Sequence, residues 1–531
     1  MQFRKKIIAS LLIGSGALAS SSPVLANDSD ELEKLRALVQ ELDQKIRVLD
    51  RKNELAEEAA AAKKKETPVV KASEKGFSLE SADGKNVIKL RGLLQADHRH
   101  YDSDSASDVR GRSNNRAGNL NADGFHDAGD TSLLRRVRPT IEGTLLGKYD
   151  FRFTPEFAGG SASAVDAYID ARFDPAFKVR AGKFKSFVGL ERLQSGADIK
   201  FAERSYVTNA ILPNRDLGVA VHGDLLDSKL NYAVGVVNGV ADGGNISTGT
   251  EFNDEREYTA RLFTTPFKDQ DNALAGLGFG LGATWTDFTG ERNLDFTNTS
   301  SADATRNGLP SYVTEGQQTF FRYGSAAIAD GKRFRYSPQA HYYVGPFGLL
   351  AEYARVSQDV SLLNSTTSNA ATVIQPGTKR NLDHSAWDVA VSYLLTGEDA
   401  SFKGVKPKRD FDWEKGGWGA WELVARYSEI NLDRDTFKRQ DGQYGTEGTS
   451  ATTSSYSDLT KSARSANTWT AGVNWYLNSN AKIVLDYAHT SFDGGALQTG
   501  LAQATNNNAS GSNVRDREDE DVIFARFQVA F

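Results

Sequence analysis

From about Lys85 to Phe531 apolar and polar residues alternate in strand-length runs, separated by turns and by loops rich in Gly, Asn, Ser, Thr and Asp. In the last run Ile523, Ala525, Phe527, Val529 and Phe531 share one face, and Phe524, Arg526, Gln528 and Ala530 share the other. One run earlier Ile483, Leu485 and Tyr487 oppose Lys482 and Asp486; further back Trp421, Leu423, Ala425 and Tyr427 oppose Glu422, Arg426 and Ser428. Side chains of a strand point alternately to its two faces, so each run has one apolar and one charged face. That suits a barrel wall with lipid outside and water within. A soluble sandwich would alternate too, but with fewer strands and shorter loops.

Roughly sixteen such runs can be placed: near 86–101, 131–146, 148–157, 165–173, 177–184, 217–224, 228–238, 255–266, 277–288, 333–344, 347–357, 384–395, 418–431, 466–477, 480–492 and 521–531. Short turns fall near Gly147, Asp227, Pro346 and Asn478, and long loops near 102–130, 289–332, 358–383, 432–465 and 493–519. An even strand count with short turns at one end and long loops at the other is the bacterial outer-membrane arrangement. Trp285, Trp387, Trp418, Trp421, Trp469 and Trp475 sit in or beside the runs, as interfacial girdles would place them. The pattern predicts an all-β fold, a 16-stranded antiparallel transmembrane β-barrel over 85–531. Between Lys185 and Asp216 the alternation stops for some thirty residues, and the charged and apolar residues there predict a packed loop folded into the barrel.

The first part of the chain is different. Arg4-Lys5-Lys6, the apolar stretch Ile7 to Ala19 and Val24-Leu25-Ala26 read as a secretory signal peptide over 1–26. Leu32, Leu35, Val39, Leu42, Ile46, Leu49, Asn53 and Ala56 are spaced alternately three and four apart. That is a heptad seam, and it predicts an N-terminal α-helical coiled coil over 27–66. Residues 67–84 read as a flexible linker.

Composition narrows the function. The 531 residues hold no cysteine, which excludes disulfides and thiolate metal sites, and 39% hydrophobic content is low for a helical membrane protein. The formal charge is −6, and losing the three bases of residues 1–26 leaves −9, which speaks against nucleic-acid binding. No nucleophile elbow, phosphate-cradling Gly-Lys-Ser/Thr loop or zinc His-Glu-x-x-His motif is present, so neither an enzyme, a cofactor nor a metal is expected. His98 and His100, two apart on one strand, read as interfacial side chains, and Asp519-Glu520-Asp521 as a solvated loop.

The stretch from Asp166 to Gly218 carries Asp166-Ala-Tyr-Ile-Asp170, Lys183-Phe184-Lys185, Gly189-Leu190-Glu191-Arg192, Phe201-Ala-Glu203-Arg204 and Asn214-Arg215-Asp216-Leu217-Gly218. With Lys89-Leu90-Arg91-Gly92, Leu134-Arg135-Arg136, Tyr393-Leu-Leu-Thr-Gly397-Glu398, Gly419-Ala-Trp421-Glu422-Leu423, Gly472-Val-Asn-Trp475-Tyr476 and Arg526-Phe-Gln528 before Phe531, it resembles the phosphate- and polyphosphate-selective porins O and P of Gram-negative outer membranes. The resemblance implies a homotrimer of sixteen-stranded barrels and passive diffusion of phosphate, pyrophosphate or polyphosphate through a constriction lined by Arg and Lys. It puts the anion-binding positions at Arg135, Arg136, Arg192 and Arg204, with Ser195 as a hydroxyl and Asp166 as the waist carboxylate; Lys183 stands beside them.

The chain departs from the pattern in places. Leu93 stands where selective members carry an inward arginine, and Arg91 takes that charge two residues earlier. Arg138 and Lys185 replace tyrosines, and Gly196 replaces a serine. These changes keep positive charge and alter its shape, which widens the expectation to larger phosphate anions. Guanidinium groups suit such a role because their planar fork matches two phosphate oxygens. The remaining expected partners are outer-membrane lipid and lipopolysaccharide, with the N-terminal segment periplasmic. Two other readings stay open: a weakly selective general porin, and an envelope tether whose coiled coil contacts the cell wall.

Overall fold

A computed structural model describes residues 28–73, 76–102, 129–246, 254–290, 307–324, 326–368, 371–440, 455–497 and 514–531. The expected signal peptide over 1–26 lies outside the described residues. The chain divides into one unit ending at Thr67 and one running from Pro68 to Phe531.

In the first unit α1 spans Asp28–Glu66. Its composition favours helix, and pairs one turn apart support it: Lys45 with Glu41 at 2.8 Å, Arg47 with Asp43 at 2.9 Å and Arg51 with Glu54 at 3.0 Å. It stops just ahead of Pro68, which disfavours helical conformation in the residue before it. The heptad residues Leu32, Leu35, Val39, Leu42, Ile46 and Leu49 are between 50 and 62% exposed, so the helix carries its apolar seam uncovered.

The second unit opens with a hairpin, Val69–Ser73 against Gly76–Glu80, within the segment expected to be a linker. Sixteen barrel strands follow: β1 (Val87–Tyr101), β2 (Thr131–Leu145), β3 (Tyr149–Glu156), β4 (Ser163–Asp174), β5 (Phe177–Lys185), β6 (Arg215–Leu225), β7 (Leu230–Val237), β8 (Glu257–Thr264), β9 (Leu277–Thr289), β10 (Ala327–Val344), β11 (Phe347–Ser368), β12 (Ala371–Leu394), β13 (Ala420–Asn431), β14 (Ala463–Tyr476), β15 (Ala481–Leu497) and β16 (Glu520–Ala530). Each pairs antiparallel with the next, and β16 returns to β1 through Val522↔Tyr101 to Ala530↔Leu93. The ring is closed, which leaves no strand edge within it. Where β16 ends, the strand Gly76–Glu80 takes over the free edge of β1 through Phe77↔Leu90 to Glu80↔Val87. A chain that supplies ladder hydrogen bonds there is not a free linker.

The two faces of the wall have opposite character. Arg526, Gln528, Asp486, Lys482, Glu422 and Arg426 are buried, whereas Ile523, Phe527, Leu485 and Leu423 are exposed. Charge inside and apolar surface outside is the reverse of a soluble core, and it suits lipid contact.

Each expected strand coincides with an observed one, but the expected loop 358–383 differs. β11 and β12 continue through it to Ser368 and Ala371, in register at Ser368↔Ala371. Beyond a bilayer both faces of a strand can be polar, so the ladder extends without the alternation that marks the membrane part. A second departure lies between β9 and β10. There Ser311–Val313 pairs with Thr319–Arg322, and Tyr312, Phe320 and Phe321 pack with Val207, Ile211, Phe437 and Phe492 in an apolar cluster inside the ring.

Candidate functional site

The loop between β5 and β6 reaches across the interior and binds the inward side of the opposite wall. Glu352 of β11 accepts the backbone N–H of Leu190 at 2.7 Å and of Glu191 at 3.2 Å, so it caps the short helix Leu190–Leu193. Ser428 of β13 accepts Tyr206 N–H at 3.1 Å, Asn474 of β14 donates to Lys200 O at 2.8 Å, and Lys482 of β15 donates to Ile199 O at 2.8 Å. Gln528 of β16 donates to Ala197 O and Gln95 of β1 to Gly196 O, both at 3.0 Å. Arg426 binds the loop at Glu203 O (2.9 Å), pairs with Glu191 at 3.4 Å and Glu315 at 2.7 Å, and lies over the Phe201 ring. Six strands thus hold one side of the loop. Its other side bounds a cavity.

That cavity, of about 500 Å³, lies between the loop and the strands β2 to β6. Eight basic side chains line it: Arg135, Arg136, Arg138, Lys183, Lys185, Arg192, Arg204 and Arg215. Glu156 is the one acid among the lining residues. Two features of the backbone bring the bases there. In the register of β1 with β2, Gln95 pairs with Arg136 and Ala96 with Leu134, which makes Arg135 the extra residue of a β-bulge. A bulge locally breaks the inward–outward alternation, so adjacent arginines both reach the interior. In β5, Gly182 adopts φ +124°, and a Cβ there would stand 2.2 Å from Ala167 O. Only glycine fits that conformation between Arg180 and Lys183.

The bases fall into two groups by partner. Arg135 is held bidentately by Glu203 at 2.6 and 3.0 Å, Arg138 by Glu156 at 2.5 Å, and Arg215 by Asp166 at 2.9 Å. The other five have no carboxylate within 4.0 Å among the described residues. Lys185 donates to Gln194 O at 2.7 Å, Lys183 to Ile246 O at 2.8 Å and Arg204 to Gln194 O at 3.0 Å. Arg192 donates to Thr208 O, and Arg136 to Gln95 Oε1 at 2.5 Å. The Nε of both Arg136 and Arg192 is buried with no hydrogen-bond partner. Burying cations without counter-charge is costly. Arg204 registers that cost: burial first, with Arg215 adding to it, holds its guanidinium down at about 10. Glu203 goes the other way; burial opposes ionisation, but Arg135, Arg136 and Arg526 hold it below the usual carboxylate range.

Toward the short-turn end five bases of β1 to β5 are paired. Arg91 and Arg152 share Glu142, Arg180 binds Asp170 at 2.6 Å, Lys178 binds Asp224 at 2.9 Å, and Arg172 lies 3.5 Å from Asp150. Those five pairs contrast with the five cavity bases that have no carboxylate beside them.

Seven residues expected at the site line this one space: Arg135, Arg136, Arg138, Lys183, Lys185, Arg192 and Arg204. Three do not. Arg91 is bound to Glu142 at 2.6 Å, because on its strand it faces that carboxylate. Ser195 is exposed, its hydroxyl accepting Ala197 N–H at 3.3 Å, and its neighbour Gly196 lines the cavity instead. Asp166 stands behind Arg215, its partner. Sequence reasoning missed Arg215, although its Asn-Arg-Asp-Leu-Gly context had been noted, and missed Glu203 as the carboxylate that fixes Arg135. Asn245 and Ile246, contributed by the β7–β8 connection, gave no sequence signal.

A closed sixteen-stranded barrel, apolar outside and charged within, defines an outer-membrane porin. The profile described as phosphate-selective porin O and P matches residues 108–531, and the chain belongs to that family. Solved structures similar in fold include OmpT of Vibrio cholerae in its trimer form, at 10% identity and TM-score 0.45 over 84% of this chain and 99% of that one. The outer membrane channel DcaP of Acinetobacter baumannii is 11% identical, with TM-score 0.46, over 86% and 99%. The anion-selective porin from Comamonas acidovorans is 12% identical, with TM-score 0.44, over 84% and 100%. Identities this low do not say what this chain conducts. No curated protein matched in sequence.

Proposed function

We propose that the protein is a passive pore for phosphate-type anions, and that the cavity beside the infolded loop is its narrow, anion-holding passage. One observation carries the reading: five of the eight bases around the cavity lack a carboxylate. An unneutralised ring in a confined space can replace part of an anion's water shell. Arg136, Lys183, Lys185, Arg192 and Arg204 hold the anion, while Arg135, Arg138 and Arg215 set the field from their paired positions. Asp166, through Arg215, limits the hold so that release remains possible. The paired bases between the cavity and the short turns let the anion go.

The volume and the extra bases Arg138 and Lys185 favour pyrophosphate or polyphosphate alongside orthophosphate. Family membership supports phosphate as the class. In the same reading the N-terminal segment is periplasmic, three copies associate, and the exposed heptad seam of α1 joins them. Single-channel current in potassium chloride, titrated with phosphate, tests the passage. Block at low phosphate supports a holding site; an unchanged current would leave a general pore.

A further inference from the structure

The ring holds a second infolded element, the hairpin of Ser311–Val313 with Thr319–Arg322 in the connection between β9 and β10. Polar bonds tie it to both sides of the lumen. Tyr312 donates to Asp242 of the β7–β8 connection at 2.9 Å, and Tyr323, just past the hairpin, bonds His384 of β12 at 2.7 Å. At the tip, Gly316 O accepts the hydroxyl of Tyr101 of β1 at 2.5 Å, and Thr314 donates to Glu520 of β16 at 3.1 Å. Glu315 pairs with Arg426 at 2.7 Å, and Arg426 also pairs with Glu191 of the loop between β5 and β6. Hairpin and loop thereby form one partition across the barrel. The wall is built to receive it: Val356 of β11, Ala386 of β12, Ile430 of β13, Ala466 of β14 and Phe492 of β15 turn an apolar inward face to Phe320 and Phe321.

What the partition closes off is acidic. Among the described residues of β11 to β15 the buried Asp and Glu are Glu352, Asp388, Glu422 and Asp486, and the buried Lys and Arg are Arg426 and Lys482. Of the four acids only Glu422 has a base within 4.0 Å among the described residues, Lys200 at 2.7 Å. Arg426 is taken up by Glu191 and Glu315, and Lys482 donates to a backbone carbonyl. This side of the loop is therefore the electrostatic opposite of the cavity, where five bases lack a carboxylate.

We propose that the hairpin is a selectivity seal: it closes the acid-rich half of the lumen, so that ions cross only by the base-lined passage along β2 to β6. Carboxyl groups open to water are ionised at neutral pH, and a wall of them draws cations. With that half open, potassium would cross beside the anion passage and the preference set by the arginines would be lost. Under the seal the same acids serve the loop instead. Glu352 accepts the backbone N–H of Leu190 and Glu191, and Asp486 accepts that of Ala202 at 2.7 Å. Acids that dock the loop thus need a cover that keeps water from them, and the aromatic hairpin supplies it. The proposal rests on the reading of the cavity as the anion passage.

The test replaces residues 311–322 of the full chain by a short Gly-Ser link, folding being checked by heat-modifiable migration. A second variant, F320S/F321S, keeps the hairpin and its polar bonds but removes its apolar grip. In planar bilayers under a potassium chloride gradient both should conduct more than the unaltered chain. The chloride-to-potassium permeability ratio, read from the reversal potential, should fall by about fivefold or more, and phosphate should not block the added current. D388N/D486N in the deletion background should restore most of the anion preference. A larger current with unchanged preference would overturn the seal, and so would a folded variant of either kind that conducts like the unaltered chain. If the deletion does not fold, F320S/F321S decides by the same outcomes. Phosphate block of the unaltered chain is read separately: its absence would remove the holding site, while the reversal potentials would still decide the seal.

Discussion

Replacing Arg192 by glutamine tests the division between paired and unpaired bases. Arg192 lines the cavity, is 3% exposed, and has one hydrogen bond, to Thr208 O, with no carboxylate to neutralise it. A unit charge roughly 6 Å from a bound anion, at an effective dielectric near 20 to 40, is worth about 1.4 to 2.8 kcal/mol. Water shared in the passage favours the lower figure, so R192Q should weaken phosphate block about tenfold. The comparison is R180Q. Arg180 lies outside the cavity and is neutralised by Asp170 at 2.6 Å, so its loss leaves the surplus in the cavity intact. Half-block there should move by less than about threefold. The assay is single-channel current in chloride titrated with phosphate, each variant first shown to fold by its heat-modifiable migration. Equal weakening in the two variants, or unchanged block in R192Q, would refute the view that unpaired bases hold the anion.

R204Q should weaken phosphate block several-fold in the same recordings, because Arg204 lines the cavity and bonds Gln194 O with no carboxylate beside it; an unchanged half-block would remove it from the group that holds the anion. R426L should leave Glu191 and Glu315 buried without their cation, cost about 3 to 5 kcal/mol, and give a channel of higher conductance and weaker anion preference in the same recordings. G182A should destabilise the barrel by at least about 1 to 3 kcal/mol, read as a lower unfolding temperature in detergent, since its Cβ would meet Ala167 O at 2.2 Å. A peptide of residues 28–66 should gain helicity by circular dichroism as its concentration rises, and I46D should abolish that dependence; helicity independent of concentration would remove the proposed seam.

Much of the architecture was legible because a barrel wall imposes a local rule. One face meets lipid and the other meets water, so Ile523, Phe527 and Leu485 must alternate with Arg526, Gln528 and Asp486, and period two appears in the chain itself. The rule lapses where no lipid is present. The ladder of β11 and β12 past residue 358, and the hairpin before β1, are held by backbone hydrogen bonds that leave no alternation to read. The infolded loop could be placed between Lys185 and Asp216 by its broken pattern, but the partners that hold it lie far away in sequence.

The sequence alone determined the strands, their inward and outward faces and the richness of the β2–β6 region in bases. It could not determine which of those bases keep an uncompensated charge. Glu203 reaches Arg135 across 68 positions and Asp166 reaches Arg215 across 49. Pairing depends on distances of a few ångströms between side chains brought together only by barrel closure and loop docking. Coulombic compensation follows separation in space and is blind to separation along the chain. That is why Arg91 and Arg192, both inward-facing candidates in the sequence, end in opposite electrostatic circumstances.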